Sequence, residues 1–186
     1  MDIEYKFCFP NKWTFKMKPI YEFVMEEMKK AKKVLVPFAG VVRFDHSDIT
    51  YIDIQDNLPK PYIKGDTMKI LPKLIKKGEK YDLIVSDPPY SASRNVMLYK
   101  NQKYHEITLF RYYYHQLLED NGIVLEFGFN SNGISEKKGY RKVKLLIVAV
   151  GGNHNDFLCL KQIKTQKSRF NTIQKNMKIN KLMRFE

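Results

Sequence analysis

The sequence predicts an α/β domain with a mostly parallel central sheet that closes in a C-terminal antiparallel hairpin. Three observations carry that expectation. Leu83-Ile84-Val85 is an apolar, β-branched run without polar alternation, the pattern of a strand covered on both faces of a parallel sheet. Val34-Leu35-Val36 repeats the pattern and runs on through Pro37-Phe38-Ala39 to Gly40. Near the other end, apolar runs over 142–150 and 157–161 flank Gly151-Gly152-Asn153-His154-Asn155-Asp156, which reads as a hairpin with its turn.

A chain of 186 residues has room for one well-buried domain over 1–186. No block of about 80 residues remains outside it for a separate target-recognition domain. Lys and Arg number 33 against 20 Asp and Glu, a net charge of +13, which is the footprint of a protein that meets phosphate backbones. A Lys-rich proteome would give the same sum. The excess is uneven, however. Residues 161–186 carry eight Lys or Arg and one Glu, so 162–186 is read as a basic tail suited to a polyanion.

The first residues lack the basic start and apolar stretch of a leader, and no apolar run has the length of a membrane span. A soluble, cytoplasmic protein is expected. Cys8 and Cys159 are the only cysteines, and His46, His105, His115 and His154 the only histidines. Their spacing matches neither a disulfide framework nor a metal site.

Taken in order, residues 18–33 read as an amphipathic helix with Pro19 in its first turn. Trp13 and Phe15, just before it, read as packing residues. The strand from Val34 to Gly40 follows, and Gly40 lets the backbone come close to a ligand. Only nine residues separate Gly40 from Thr50, short for a crossover helix, so a loop or truncated helix is expected. Thr50-Tyr51-Ile52-Asp53-Ile54 is the next strand. An acid there can accept hydrogen bonds from ribose hydroxyls; Asp53 is the candidate and Asp56 its competitor. Asp66 or Thr67 can cap a helix through Leu71, Leu74 and Ile75.

The strand over 81–86 leads into Asp87-Pro88-Pro89-Tyr90, at the carboxyl end where open α/β sheets place ligands. Each proline holds the residue before it extended and lacks an N–H, so the corner offers acceptors only. Such a corner suits the two hydrogens of an exocyclic amine, with Tyr90 stacking on its ring. Residues 91–103 form a polar loop with interleaved basic and aromatic side chains, equally fit to clamp a nucleic-acid strand or to be plain solvated loop. A helix from Ile107 to Leu118 then stops at Asn121-Gly122. The strand over 123–129 puts Asn130 on the same edge as Asp87.

Asp87-Pro88-Pro89-Tyr90 resembles the DPPY motif of S-adenosylmethionine-dependent amino-methyltransferases, which methylate adenine N6 or cytosine N4. Pro37-Phe38-Ala39-Gly40 is similar to that family's cofactor loop, although Val36 stands where an Asp is usual and Val41-Val42 replace further small residues. The stretches 127–133 and 151–156 resemble short archaeal and phage adenine-specific DNA methylase-like proteins. This resemblance implies a Rossmann-like class I methyltransferase fold with S-adenosylmethionine as cofactor. It implies Asp87, Pro88, Pro89 and Tyr90 as the catalytic corner, and Pro37, Phe38, Ala39, Gly40, Asp53 and Asp66 as cofactor residues, Asp66 beside the adenine. The segment around Trp13 corresponds to one that often touches the cofactor's methionine end. Adenine N6 in DNA is the expected target. An rRNA or tRNA base, or a non-catalytic nucleic-acid-binding subunit, is the alternative. Target preference is expected to come from loops, the basic tail or a second subunit, or else to be slight; a homo-oligomer or a recognition subunit is the expected protein partner.

Overall fold

The computed structural model describes residues 1–89, 107–152 and 154–165. Strand β1 (Asp2–Phe7) is followed by a short 3-10 turn over Thr14–Lys16 and by helix α1 (Lys18–Met28). Then come β2 (Val34–Val36), β3 (Ile49–Asp53), β4 (Ile63–Lys64), α2 (Thr67–Lys76) and β5 (Tyr81–Ser86). The second half holds α3 (Ile107–Leu117), β6 (Leu118–Gly128), a 3-10 turn over Glu136–Lys138, β7 (Tyr140–Ala149) and β8 (Phe157–Lys164).

The strands form one sheet in the order β1-β7-β8-β6-β5-β2-β3-β4. All neighbouring pairs are parallel except β6 with β8 and β7 with β8. This is the expected mostly parallel sheet with a closing antiparallel hairpin.

Strand alternation sorts the core into two layers. Leu83 and Val85 of β5, with Leu125, Phe127, Leu146 and Val148, pack under Ile20, Phe23 and Val24 of α1. Ile84 and Val124 face the other way, onto Leu71 and Leu74 of α2 and Phe110, Tyr114 and Leu117 of α3. The central strands are thus covered on both sides, which is why their sequences are apolar without alternation. The start of β5 is tied to the residues before β2: the Asp82 carboxylate accepts the main-chain N–H groups of Lys32 (2.7 Å) and Lys33 (2.8 Å).

Several boundaries differ from the sequence expectation. Helix α1 ends at Met28, before Lys29 and Lys30. The strand from Val34 stops at Val36, and Pro37–Gly40 is the turn beyond it. No helix fills the stretch between Gly40 and Ile49. Asn121-Gly122 lies inside the span of β6: Leu118 already pairs with Tyr81, residues 119–122 bulge out with Asn121 at φ +64°, and Ile123 resumes the pairing with Leu83. Strand β8 runs to Lys164, so residues 162–164 are strand and not tail; Gln162 and Lys164 are buried. Residues 166–186 lie outside the described residues. Strand β1, not among the expected elements, adds an edge to the sheet beside β7. No helix among the described residues is long and apolar enough to cross a membrane.

Candidate active site

Parallel pairing sets the ends of β2, β3 and β5 side by side. Val34 and Leu35 lie opposite Leu83 and Ile84, and Val36 lies opposite Tyr51, so the turn at 37–40, Asp53 and Asp87 all emerge at the same carboxyl edge. Between them is a cavity of about 310 Å³ whose wall includes Trp13, Phe38, Gly40, Asp53, Asp87 and Pro88. Of the residues singled out for a site in the sequence, Phe38, Ala39, Gly40, Asp53, Asp87, Pro88 and Pro89 therefore share one cavity. Pro37 is set back, its carbonyl accepting from the Thr67 hydroxyl at 2.8 Å. Asp66 is not on the cavity wall; its Oδ1 accepts from the N–H of Met68 at 2.9 Å and caps α2. Tyr90 lies outside the described residues.

Asp53 organises the turn. One carboxylate oxygen accepts the N–H of Gly40 (2.8 Å) and the other that of Gln55 (2.9 Å), and the residue is only 5% exposed. Each oxygen has a second lone pair, so the clamp does not use up its acceptor capacity. Gly40 has φ +55°, and a Cβ built there would stand 3.3 Å from Cε3 of Trp13. Left-handed backbone and a tight ring contact both call for glycine at this position.

Two further side chains shape the site: Trp13, read from the residues as packing and tied to the cofactor only by the resemblance, lines the cavity, and Arg43, which the sequence did not single out, braces the turn beside it. Trp13 comes from the residue before the 3-10 turn that precedes α1 and forms a wall of the cavity, with the Lys12 ammonium 5.5 Å from its ring centroid. Phe15, expected to pack, is core: it meets Phe44 and Phe127 edge-on, at 5.5 and 5.3 Å between centroids. Arg43 is the second, and it stitches the turn that carries Val41-Val42. Its guanidinium donates to the carbonyls of Gly40 (3.0 Å), Val42 (2.7 Å) and Pro59 and lies 4.6 Å from the Tyr51 ring centroid. The only sequence signal for Arg43 is its place three residues after the glycine.

Around β5 the supports are polar but paired. The buried Ser86 hydroxyl shares a 2.7 Å hydrogen bond with Tyr114 of α3, and Arg111 of α3 donates to Glu126 of β6 at 2.9 Å. Burial pushes the Tyr114 hydroxyl far above the ordinary tyrosine range. The Cys159 thiol, fully buried, is raised well above its ordinary value by that burial and by the negative charge of Asp87, so it stays a thiol. Among the described residues no group of His, Cys, Asp and Glu could hold a metal ion.

No protein-family model matches the chain. Over 99 residues it is 28% identical to the ribosomal RNA large subunit methyltransferase I of Aeromonas salmonicida; the match covers 53% of this chain and 23% of that protein. The chain thus aligns with less than a quarter of the length of that curated relative. SMU.776, assigned as a methyltransferase and solved in complex with SAH, superposes with a TM-score of 0.57 at 14% identity, covering 76% of this chain and 48% of that one. TrmN from Thermus thermophilus does so with a TM-score of 0.54 at 12% identity, over 80% and 49%. The fold is that of the class I methyltransferases.

Proposed function

We propose that this chain transfers a methyl group from S-adenosylmethionine to the exocyclic amine of a nucleobase, with RNA as the polymer and adenine N6 as the favoured atom. The observation that carries the reading is the meeting of Asp87-Pro88-Pro89 with the Gly40 turn and Asp53 around one cavity. The cofactor supplies an electrophilic methyl group on a positively charged sulfur. The residues present fit such a ligand: a glycine without a Cβ at the closest turn, two carboxylates against one lysine on the wall, and aromatic rings for an adenine. Phe38 and Trp13 supply ring faces, and Asp53 keeps lone pairs for ribose hydroxyls. Asp66 is assigned the capping role.

At the corner, the Asp87 carboxylate and a neighbouring main-chain carbonyl accept the two hydrogens of the amine. That draws its lone pair out of the ring and aims it at the cofactor side. Asp87 is also the acceptor for the proton the nitrogen must lose. Methylation at a pyrimidine ring carbon through a cysteine adduct needs a thiolate, and the chain does not provide one here. Cys159 is buried and held as a thiol, and Cys8 follows β1, at the far edge of the sheet.

The sequence favours DNA by resemblance; the activity of the curated relative, a ribosomal RNA enzyme over the matched 99 residues, supports RNA instead. The net charge of +13 serves either. Incubation with labelled S-adenosylmethionine and separate RNA and DNA pools, followed by nucleoside analysis, should give N6-methyladenosine in RNA. Label in DNA alone would restore the DNA reading. A carbon-methylated base would remove the amine mechanism, and no cofactor binding at all would leave a nucleic-acid-binding subunit.

A further inference from the structure

The outer edge of β1 is chemically self-complementary. Strand β1 pairs only with β7 among the described residues, and its other edge ends the sheet. Odd positions along it form an apolar stripe, with Met1, Ile3, Tyr5, Phe7 and Phe9 each 59–80% exposed. Phe7 and Phe9 meet edge-on at 5.6 Å. An exposed flat edge with an apolar stripe is a template for pairing with another strand.

The backbone phase is fixed by one bond. The N–H of Cys8 donates to the carbonyl of Ala149 at 3.0 Å, so even residues turn their main-chain groups toward β7. By the alternation of a strand, Ile3, Tyr5 and Phe7 turn theirs outward. An antiparallel partner must therefore match odd residues with odd residues. When the partner is the same strand, registers that satisfy this differ only in their centre. Centring on Glu4 sets Glu4 against the partner's Glu4, and centring on Lys6 sets Lys6 against the partner's Lys6. Centring on Tyr5 sets Glu4 against the partner's Lys6, and Lys6 against the partner's Glu4. It also pairs Ile3 with the partner's Phe7 across the apolar stripe.

We propose that two copies of this chain pair antiparallel through β1, centred on Tyr5, into one continuous sheet. Ile3, Tyr5 and Phe7 exchange main-chain hydrogen bonds with the partner. The Glu4–Lys6 contacts fall at non-hydrogen-bonded positions, where Cα atoms are only about 4.5 Å apart and side chains meet most closely. Within one copy, Glu4 already holds Lys144 at 2.9 Å as well as Lys6 at 3.1 Å. Lys6 can therefore turn to the partner while Glu4 keeps Lys144. Since β1 runs parallel to β7 and the dimer is antiparallel, the two cavities open on opposite edges of the joined sheet and work independently.

The test is the solution mass of the full chain by light scattering, expected at twice 22.1 kDa. Lys6→Glu and Glu4→Lys each set like charges across both contacts and should weaken self-association at least about tenfold. Mixed together, the two variants have opposite charges at both contacts and should recover the dimer. Tyr5→Pro removes only an outward N–H, which an edge strand tolerates. It should give a monomer with the wild-type circular dichroism and unchanged cofactor binding. A monomeric wild type overturns the proposal, as does a dimer indifferent to Lys6→Glu and Tyr5→Pro, or a charge-swapped mixture that stays monomeric. A wild-type monomer that dimerises once the residues after Thr165 are removed also overturns it, by giving the edge to that segment.

Discussion

The carboxylate of Asp53 receives the main-chain N–H of Gly40 at 2.8 Å, so the end of β3 holds the turn that leaves β2. The same side chain takes the N–H of Gln55 at 2.9 Å. Asp53→Ala leaves both donors without that acceptor and should cost about 1–3 kcal/mol of stability, read as a lower melting temperature without ligand. In the proposed function the same change also weakens S-adenosylmethionine binding by calorimetry. A melting temperature equal to wild type would show that the turn keeps its shape without the clamp.

Gly40→Ala tests the cavity wall from the other side. At φ +55° a Cβ costs about 1–2 kcal/mol in backbone conformation, and the Trp13 ring 3.3 Å away must move. Stability should fall by about that amount, and cofactor affinity should fall with it. Combining Gly40→Ala with Trp13→Ala should recover the part of the stability loss due to the ring and leave the backbone part. Additive losses would mean that the ring does not oppose the Cβ.

His115 gives a pH signature that is separate from the site. Burial, joined by the positive charges of Lys164 and Lys80 and opposed by Asp120, lowers its pKa to about 4, against about 6.5 when unfolded. The folded state therefore resists a proton that the unfolded state takes up. This contribution to stability is present above pH 6.5 and is lost as pH falls from there toward about 4. Denaturant titrations at pH 7 and pH 5 should show a smaller stability difference for His115→Gln than for wild type. An equal difference in both would place the pH dependence elsewhere.

How much of this was legible in the sequence depended on how local the cause was. Strands covered on both faces announced themselves, because Leu83-Ile84-Val85 and Val34-Leu35-Val36 carry no alternation to misread. The place of Asp87, Pro88 and Pro89 just beyond β5 was legible for a local reason too, since they follow that apolar run directly. Strand β1 was missed although Ile3, Tyr5 and Phe7 alternate with Asp2, Glu4 and Lys6, because an edge strand buries too little to mark it as sheet. Strand β4 has two residues, too few for any pattern. Trp13 was reached only through the resemblance, because its contact with Gly40 joins two turns far apart in sequence, and Arg43 was missed because nothing in a lone loop arginine shows that its guanidinium folds back onto the carbonyls of Gly40 and Val42. Asp66 shows the converse. Its cap on α2 is local and was readable, whereas its distance from the cavity wall was not.

The basic residues beyond Thr165, which lie outside the described residues, are tested through salt. Ending the chain after Lys167 removes five of the eight basic residues found from Lys161 onward, Arg169 among them. If these meet phosphates, nucleic-acid affinity should fall, and the slope of log affinity against log salt should flatten by about 0.7–0.9 for each phosphate no longer neutralised. Cofactor binding should persist, because the cavity wall among the described residues is formed by residues between 12 and 89. An unchanged slope would assign the tail to packing or assembly.

Asp87 and Tyr90 divide the work of the corner in the proposed mechanism, and single changes separate them. Asp87→Ala removes the acceptor that draws the amine toward the cofactor and takes its proton, so methyl transfer should be abolished while S-adenosylmethionine still binds. Tyr90 stacks and does not react: Tyr90→Ala should lower turnover less than Asp87→Ala, and Tyr90→Phe or Tyr90→Trp should retain much of it, since stacking needs a ring face. A paired and stacked base cannot bring its amine to Asp87, so the target must be unpaired or turned out of the helix. A 2-aminopurine at the target position of an RNA substrate should brighten on binding. An RNA with that position unpaired should be methylated faster than one with it paired. Full activity of Asp87→Ala, together with no change in fluorescence, would exclude the corner as the place where the amine is activated.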